Sequence, residues 1–178
     1  QIKKNTFLPS VFGENKLKYE EKADIIIAKE IDYFNTLKEE IMNRLNSGKA
    51  SNTKRAVLVF FESDKKLLEF LNSKQMADIK DKIEYLTEEA NAEEKENIVK
   101  RATSSGRITF FTRSFGRGTD FVVHDQEVSA NGGIHVLQTF LSEERSEEVQ
   151  IIGRTARQGD QGSFSMVLLD LSLEKFSI

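Results

Sequence analysis

Four short apolar runs, each closed off by polar residues, constrain what this chain can fold into more than any other feature. They are Ala56–Phe61, Arg107–Thr112, Ile134–Leu137 and Phe164–Leu169. Runs of this length, rich in β-branched and aromatic residues, are buried strands rather than helices. Between them lie segments of helical spacing. Asp64 onward carries Leu67, Leu68 and Leu71 on one face, with Ser63 or Asp64 as cap. Asn91–Ala102 is a charged helix whose Ile98, Val99 and Ala102 turn inward. Ile83–Leu86 is a further candidate strand. Strands alternating with helices at this period predict a three-layer α/β domain with a mainly parallel sheet. Ahead of it, Ile25, Ala28, Ile31, Phe34, Leu37, Ile41 and Leu45 recur at spacings of three and four. That spacing predicts one long N-terminal helix over Lys18–Asn46, stopped by the polar, Gly48-containing stretch that follows. Residues 1–17, with Pro9 and a turn-like Gly13-Glu14-Asn15, read as an irregular leading segment, and 18–178 as one domain.

Composition narrows the function classes. A chain of 178 residues holds one well-buried domain. With 26 basic and 29 acidic side chains the charge is nearly balanced, so totals give no case for a nucleic-acid partner. The absence of cysteine excludes disulfides and thiolate metal sites, and two histidines make no His-rich one. No apolar run approaches the ~20 residues that span a bilayer. The start, Gln-Ile-Lys-Lys-Asn, lacks a signal-like apolar core and an initiator methionine, as expected of a piece of something longer. Glu88–Glu96 and Lys65-Lys66 are solvated helix faces, and His135, on an apolar strand, reads as a core histidine rather than a ligand.

Two segments are not explained by packing. Thr112-Arg113-Ser114-Phe115-Gly116-Arg117-Gly118-Thr119-Asp120 follows a strand directly, at the carboxyl end of the sheet where α/β folds bind ligands. Gly116 and Gly118 let the backbone approach another surface, and offer Arg117 on a loop where its planar fork can take a phosphate or carboxylate. A lone G-x-G is weak, and a glycine-rich turn with a surface arginine is the competing reading. In Gln150-Ile151-Ile152-Gly153-Arg154-Thr155-Ala156-Arg157-Gln158-Gly159-Asp160, Arg154 and Arg157 share one face of a short helix. Two guanidiniums on one face call for an anion: a phosphate, or a carboxylate of Glu147, Glu148 or Asp160.

Q-x-x-G-R-x-x-R-Q-G after G-R-G-T-D resembles motifs VI and V of superfamily 2 helicase-like motors, and the wording is most similar to the SecA family of preprotein translocase ATPases. Gly132-Gly133-Ile134-His135-Val136 and Gln150 through Ser163 follow in the family's order, and Val57–Phe61 falls where the first strand of its second nucleotide-binding domain belongs. The resemblance covers about residues 17–178 and is densest over 108–163. Departures are Phe115 in place of a small residue, Arg113 in place of asparagine, Ala156 in place of glycine, Ser146 after Arg145, and a short stretch between Asp120 and Gly132.

The resemblance implies a RecA-like fold and a cleft between two RecA-like domains that holds ATP. The chain has no G-x-x-x-x-G-K-[ST] and no D-E-A-D carboxylate pair. Phosphates and Mg2+ would therefore sit on the first RecA-like domain of the same polypeptide, and this chain alone would not hydrolyse ATP. Arg157 would be the arginine finger, a role that can be worth about 10³–10⁵ in rate. Arg154 and Arg117 would sense the γ-phosphate, and Asp120 would contact the sugar or organise the arginines. Gln150 would link motif VI to the nucleotide, with Gly116, Gly118 and Gln158 completing the nucleotide contacts. The family further implies a polypeptide substrate, a membrane translocation channel, and a cytoplasmic location at the membrane periphery. The competing reading is the C-terminal domain of a nucleic-acid helicase or remodeller, which G-G-I-H-V and the acidic net charge disfavour.

Overall fold

A computed structural model describes residues 2–7, 22–49, 53–119, 121–141 and 162–170, with backbone alone for 2–7, 22–24, 117 and 118. The apolar runs form the centre of one sheet. β1 (Ile2–Phe7) and β2 (Lys22–Ala28) precede α1 (Glu30–Leu45), then come β3 (Val57–Phe61), α2 (Asp64–Leu71), β4 (Ile83–Leu86) and α3 (Ala92–Ala102). β5 (Ile108–Thr112), the short α4 (Phe115–Gly118), α5 (Gln126–Ala130), β6 (Ile134–Gln138) and β7 (Gly162–Leu169) complete the order. The sheet runs β1-β2-β7-β6-β3-β5-β4. All neighbours from β2 to β4 pair in parallel, and β1 alone is antiparallel, to β2.

Side chains of the central strands alternate between two apolar layers, as the pleat requires. Val57, Val59, Phe61, Phe110, Leu137 and Val167 face α1 and α2, where Leu37, Ile41, Leu67 and Phe70 cover them. Leu58, Phe60, Phe111, Val136 and Met166 face the opposite layer, closed by Ala102, Phe121 and Val128. Phe110 and Phe111, aromatic enough to stack on a base had they been exposed, are both fully buried. Ser63 caps α2 by accepting from the Lys66 N–H, and Asn91 caps α3 by accepting from that of Glu94.

Two expectations change at the amino end. The helix predicted over Lys18–Asn46 begins only at Glu30, and Lys22–Ala28 is a strand. Ile25-Ile26-Ile27 is a β-branched triplet, stiff at χ1 and favoured on a pleated surface, and pairing with β7 fixes it. Ile31, counted in the helical stripe, is 84% exposed. Within the leading segment read as irregular, Ile2–Phe7 is a strand.

Candidate functional site

The carboxyl edge of the sheet is where the chain reverses its course. From β3 it moves outward to β4 at the sheet edge, and from β5 it crosses back over β3 to β6. Such switch points open a crevice outside the strand ends. The segment carrying G-R-G-T leaves β5 here. Its turn is closed by the Gly116 N–H donating to the Arg113 carbonyl at 3.0 Å. Phe115, in place of the family's small residue, packs partly into the core beside Phe111, with Lys95 Nζ 5.6 Å from its ring centre. Arg113 lies with its guanidinium 4.8 Å from the centre of the Phe140 ring, just beyond β6. Both departures from the family pattern are thus used in packing.

Thr112 and Thr119 bracket this segment, and both hydroxyls are buried without a hydrogen-bond partner. Orphaned buried hydroxyls are costly and mark places where a further polar group is accommodated. Thr112, in phase with Phe110, faces the α1–α2 layer, whereas Thr119 lines the depression beside α3, so the two hydroxyls lie on opposite sides of the sheet. Among the described residues no group of three or more carboxylates, histidines or cysteines could hold a metal ion.

Two depressions flank the edge. One, of about 410 Å³, lies between α3 and the residues after α4 and is lined by Lys95, Lys100, Thr119, Val122 and His124. The other, of about 690 Å³, opens at the ends of β3, β6 and β7, with Phe34, Phe61 and Phe140 inside and Glu30, Glu62 and Lys66 along it. Tyr33 fixes one wall of the second. Its hydroxyl donates to the carbonyls of Thr139 at 3.2 Å and Val167 at 3.3 Å, and burial pushes the phenol up to about 12, so it stays a donor.

Of the residues singled out from sequence, Gly116 lies at this edge, and α4 brings the backbones of Arg117 and Gly118 beside it. The Arg117 side chain, Asp120, Gln150, Arg154, Arg157 and Gln158 lie outside the described residues. His135 is a core histidine, as its strand context suggested. Sequence reasoning passed over Thr112 as a strand end and gave no weight to the Thr119 hydroxyl.

The helicase conserved C-terminal domain family matches residues 32–159. The chain is 34% identical over 161 residues to protein translocase subunit SecA of Malacoplasma penetrans, covering 88% of this chain and 11% of that protein. It is 46% identical over 74 residues to SecA 2 of Chlorobium chlorochromatii, covering 41% of this chain and 11% of that protein. The chain therefore spans only a small part of these relatives' length. Among solved structures, domain 2 of the DEAD-box helicase Mss116p superposes with a TM-score of 0.56 at 22% identity, covering 84% of this chain and 54% of that one. Dbp5 of S. cerevisiae bound to RNA and ADP BeF3 gives 0.57 at 16%, covering 85% and 34%. No helix among the described residues is long and apolar enough to cross a membrane. With a parallel sheet of this order and a family match over most of its length, the chain belongs to the helicase conserved C-terminal domain family, as a relative of the SecA protein translocases.

Proposed function

We propose that this chain is the second RecA-like half of a SecA-like, ATP-driven protein translocase motor. The observation that carries the reading is the unbroken succession of G-R-G-T-D, G-G-I-H-V and G-R-x-x-R-Q-G-D-x-G-S, in a chain 34% identical to a SecA subunit over 161 residues. The switch-point location of the first of these supports it. ATP, with its Mg2+ on the first RecA-like domain of the same polypeptide, would supply the phosphoryl group transferred to water. Arg157 acts on the charge that builds on the phosphoryl oxygens, and Arg154 and Arg117 respond to the terminal phosphate. Gly116 and Gly118 keep the approach free of side chains, and Asp120, Gln150 and Gln158 orient the sugar and the arginines. The motor works in the cytoplasm at the membrane periphery, on a polypeptide and beside a translocation channel.

The test is made in the full-length motor. Arg157→Lys keeps the charge but loses the planar fork, so kcat for ATP should fall by about 10³ with nucleotide affinity little changed. Unfolded polypeptide, and not RNA, should stimulate turnover. Unchanged turnover in the lysine variant removes the finger assignment. Stimulation by RNA alone moves the protein to the helicase reading.

A further inference from the structure

Beneath the second half of α1, the face of the sheet is polar where the rest of that layer is apolar. Glu40, Arg55, His135 and Ser165 are all buried there. Arg55, just ahead of β3, donates through Nε to the Gly133 carbonyl at 2.9 Å, and through Nη2 to the Ile134 carbonyl at 3.0 Å and Ser163 Oγ at 2.8 Å. His135 Nδ1 is 2.6 Å from Ser163 Oγ, and its Nε2 is 2.7 Å from Ser165 Oγ. Ser165 donates to Glu40 Oε2 at 2.8 Å, and the same oxygen accepts from Arg44 Nε at 2.9 Å.

The donors and acceptors of this chain run one way. A guanidinium only donates and a carboxylate only accepts. Ser165 gives its one hydrogen to Glu40, so its oxygen must accept from His135 Nε2. The ring then carries its proton on Nε2, and Nδ1 accepts from Ser163, whose oxygen accepts from Arg55. An imidazolium would turn an N–H toward the Ser163 hydroxyl hydrogen, in a site already holding Arg44 and Arg55.

This arrangement reads register. His135 stands opposite Ser163 in the β6–β7 ladder. A slip of one residue would send Ser163 and Ser165 to the other face and bring Phe164 under α1. His135, Arg55 and Glu40 would then be buried with these bonds lost. A slip of two would leave a single serine for the two ring nitrogens. The Ser-x-Ser spacing therefore fits one register alone. β7 also follows the arginine-bearing stretch in the chain: Arg157 lies five residues before Gly162.

We propose that His135 is a positioning residue: as a neutral Nε2–H imidazole it pins the register of β7 against β6 and α1, and so fixes the anchor from which the preceding segment bearing Arg154 and Arg157 extends. The functional half of this statement rests on the reading that those arginines serve ATP turnover.

Two measurements on the full-length motor test it. Long-range 1H–15N correlation of labelled histidine should show His135 with Nδ1 bare and Nε2 protonated at neutral pH. The opposite tautomer, or an imidazolium, overturns the assignment. In kinetics, His135→Phe and the milder Ser163→Ala should lower kcat for ATP by about tenfold or more, as small misplacements of catalytic groups do, with KM within about twofold. Ser163→Thr, which restores the hydroxyl, should recover most of the loss. Thermal unfolding confirms that each variant is folded at the assay temperature, and Ser163→Ala decides the matter if His135→Phe is not. If Arg157→Lys lowers kcat while Ser163→Ala leaves it at the wild-type value, the positioning role is wrong and the ATP reading stands. If Arg157→Lys also leaves kcat unchanged, the finger assignment falls and takes the functional half of the proposal with it.

Discussion

His135 gives the molecule a titration that its sequence position does not advertise. Burial above all, with the charges of Arg44 and Arg55 adding, holds the imidazole well below its ordinary range. The folded state therefore keeps it neutral while the unfolded chain takes up a proton below about pH 6.5. Unfolded molecules bind more protons over that window, so stability rises with pH there. The contribution is complete above pH 6.5 and is lost as the pH falls toward the depressed folded value, with a limiting slope of about 1.4 kcal/mol per pH unit. Urea unfolding at pH 7.5, 6 and 5 should show this slope, and His135→Phe should remove it. The neighbouring Gly132 has φ +104°, and a Cβ there would meet the Arg55 guanidinium only at ordinary contact distance, 3.8 Å. The cost of Gly132→Ala is therefore conformational, about 1–2 kcal/mol, read as a lower urea midpoint. The two glycines were legible in the sequence only as letters of a motif. Their reason is that the loop turns three carbonyls, of Gly132, Gly133 and Ile134, toward Arg55. Partners drawn from α1, the start of β3, β6 and β7 do not announce themselves in a linear chain. Glu40 and Arg44 look like an ordinary exposed i, i+4 pair until the sheet is laid beneath them.

At the scale of elements, the runs centred on Val57–Phe61, Ile108–Thr112, Ile134–Leu137 and Phe164–Leu169 were legible because each is mostly buried on both faces and so reads as largely apolar. Lys22–Ala28 was not. Its Ile25 and Ala28 happen to stand three apart and in phase with the true stripe of α1, so a helical period ran on across a strand. The misreading has a measurable consequence. Ile26 is 6% exposed and packs in the layer under α1, whereas Ile31 is 84% exposed. Ile26→Ala should cost about 2–4 kcal/mol as a cavity mutant, and Ile31→Ser should stay within about 0.5 kcal/mol. A helix over Lys18–Asn46 would have made Ile31 the costly position, so chemical denaturation of the two variants separates the alternatives directly.

For the molecule as a whole, the question is what a domain with this edge can do without a partner. The sequence made the absence of a phosphate-cradling loop plain, since G-x-x-x-x-G-K-[ST] is a local pattern. It could not show the strand order that brings the G-R-G-T segment to the switch point, because neighbours such as β7 and β2 lie far apart in the chain. Among the described residues that edge has no cluster able to hold a metal. Phosphoryl transfer needs the β- and γ-oxygens neutralised, chiefly by a bound metal and a cradling lysine. A domain that lacks the phosphate-cradling loop and supplies arginines can sharpen the transition state but cannot first hold the ground state. The purified 178-residue chain should therefore show no ATP turnover above background and no micromolar affinity by calorimetry. Fused behind the P-loop-bearing domain of a SecA relative, it should restore turnover, and Arg157→Lys in the fusion should abolish most of it. Turnover or micromolar binding by the chain alone would mean that the phosphates are held by residues of this domain, and the division of labour between two RecA-like halves would have to be abandoned for this protein.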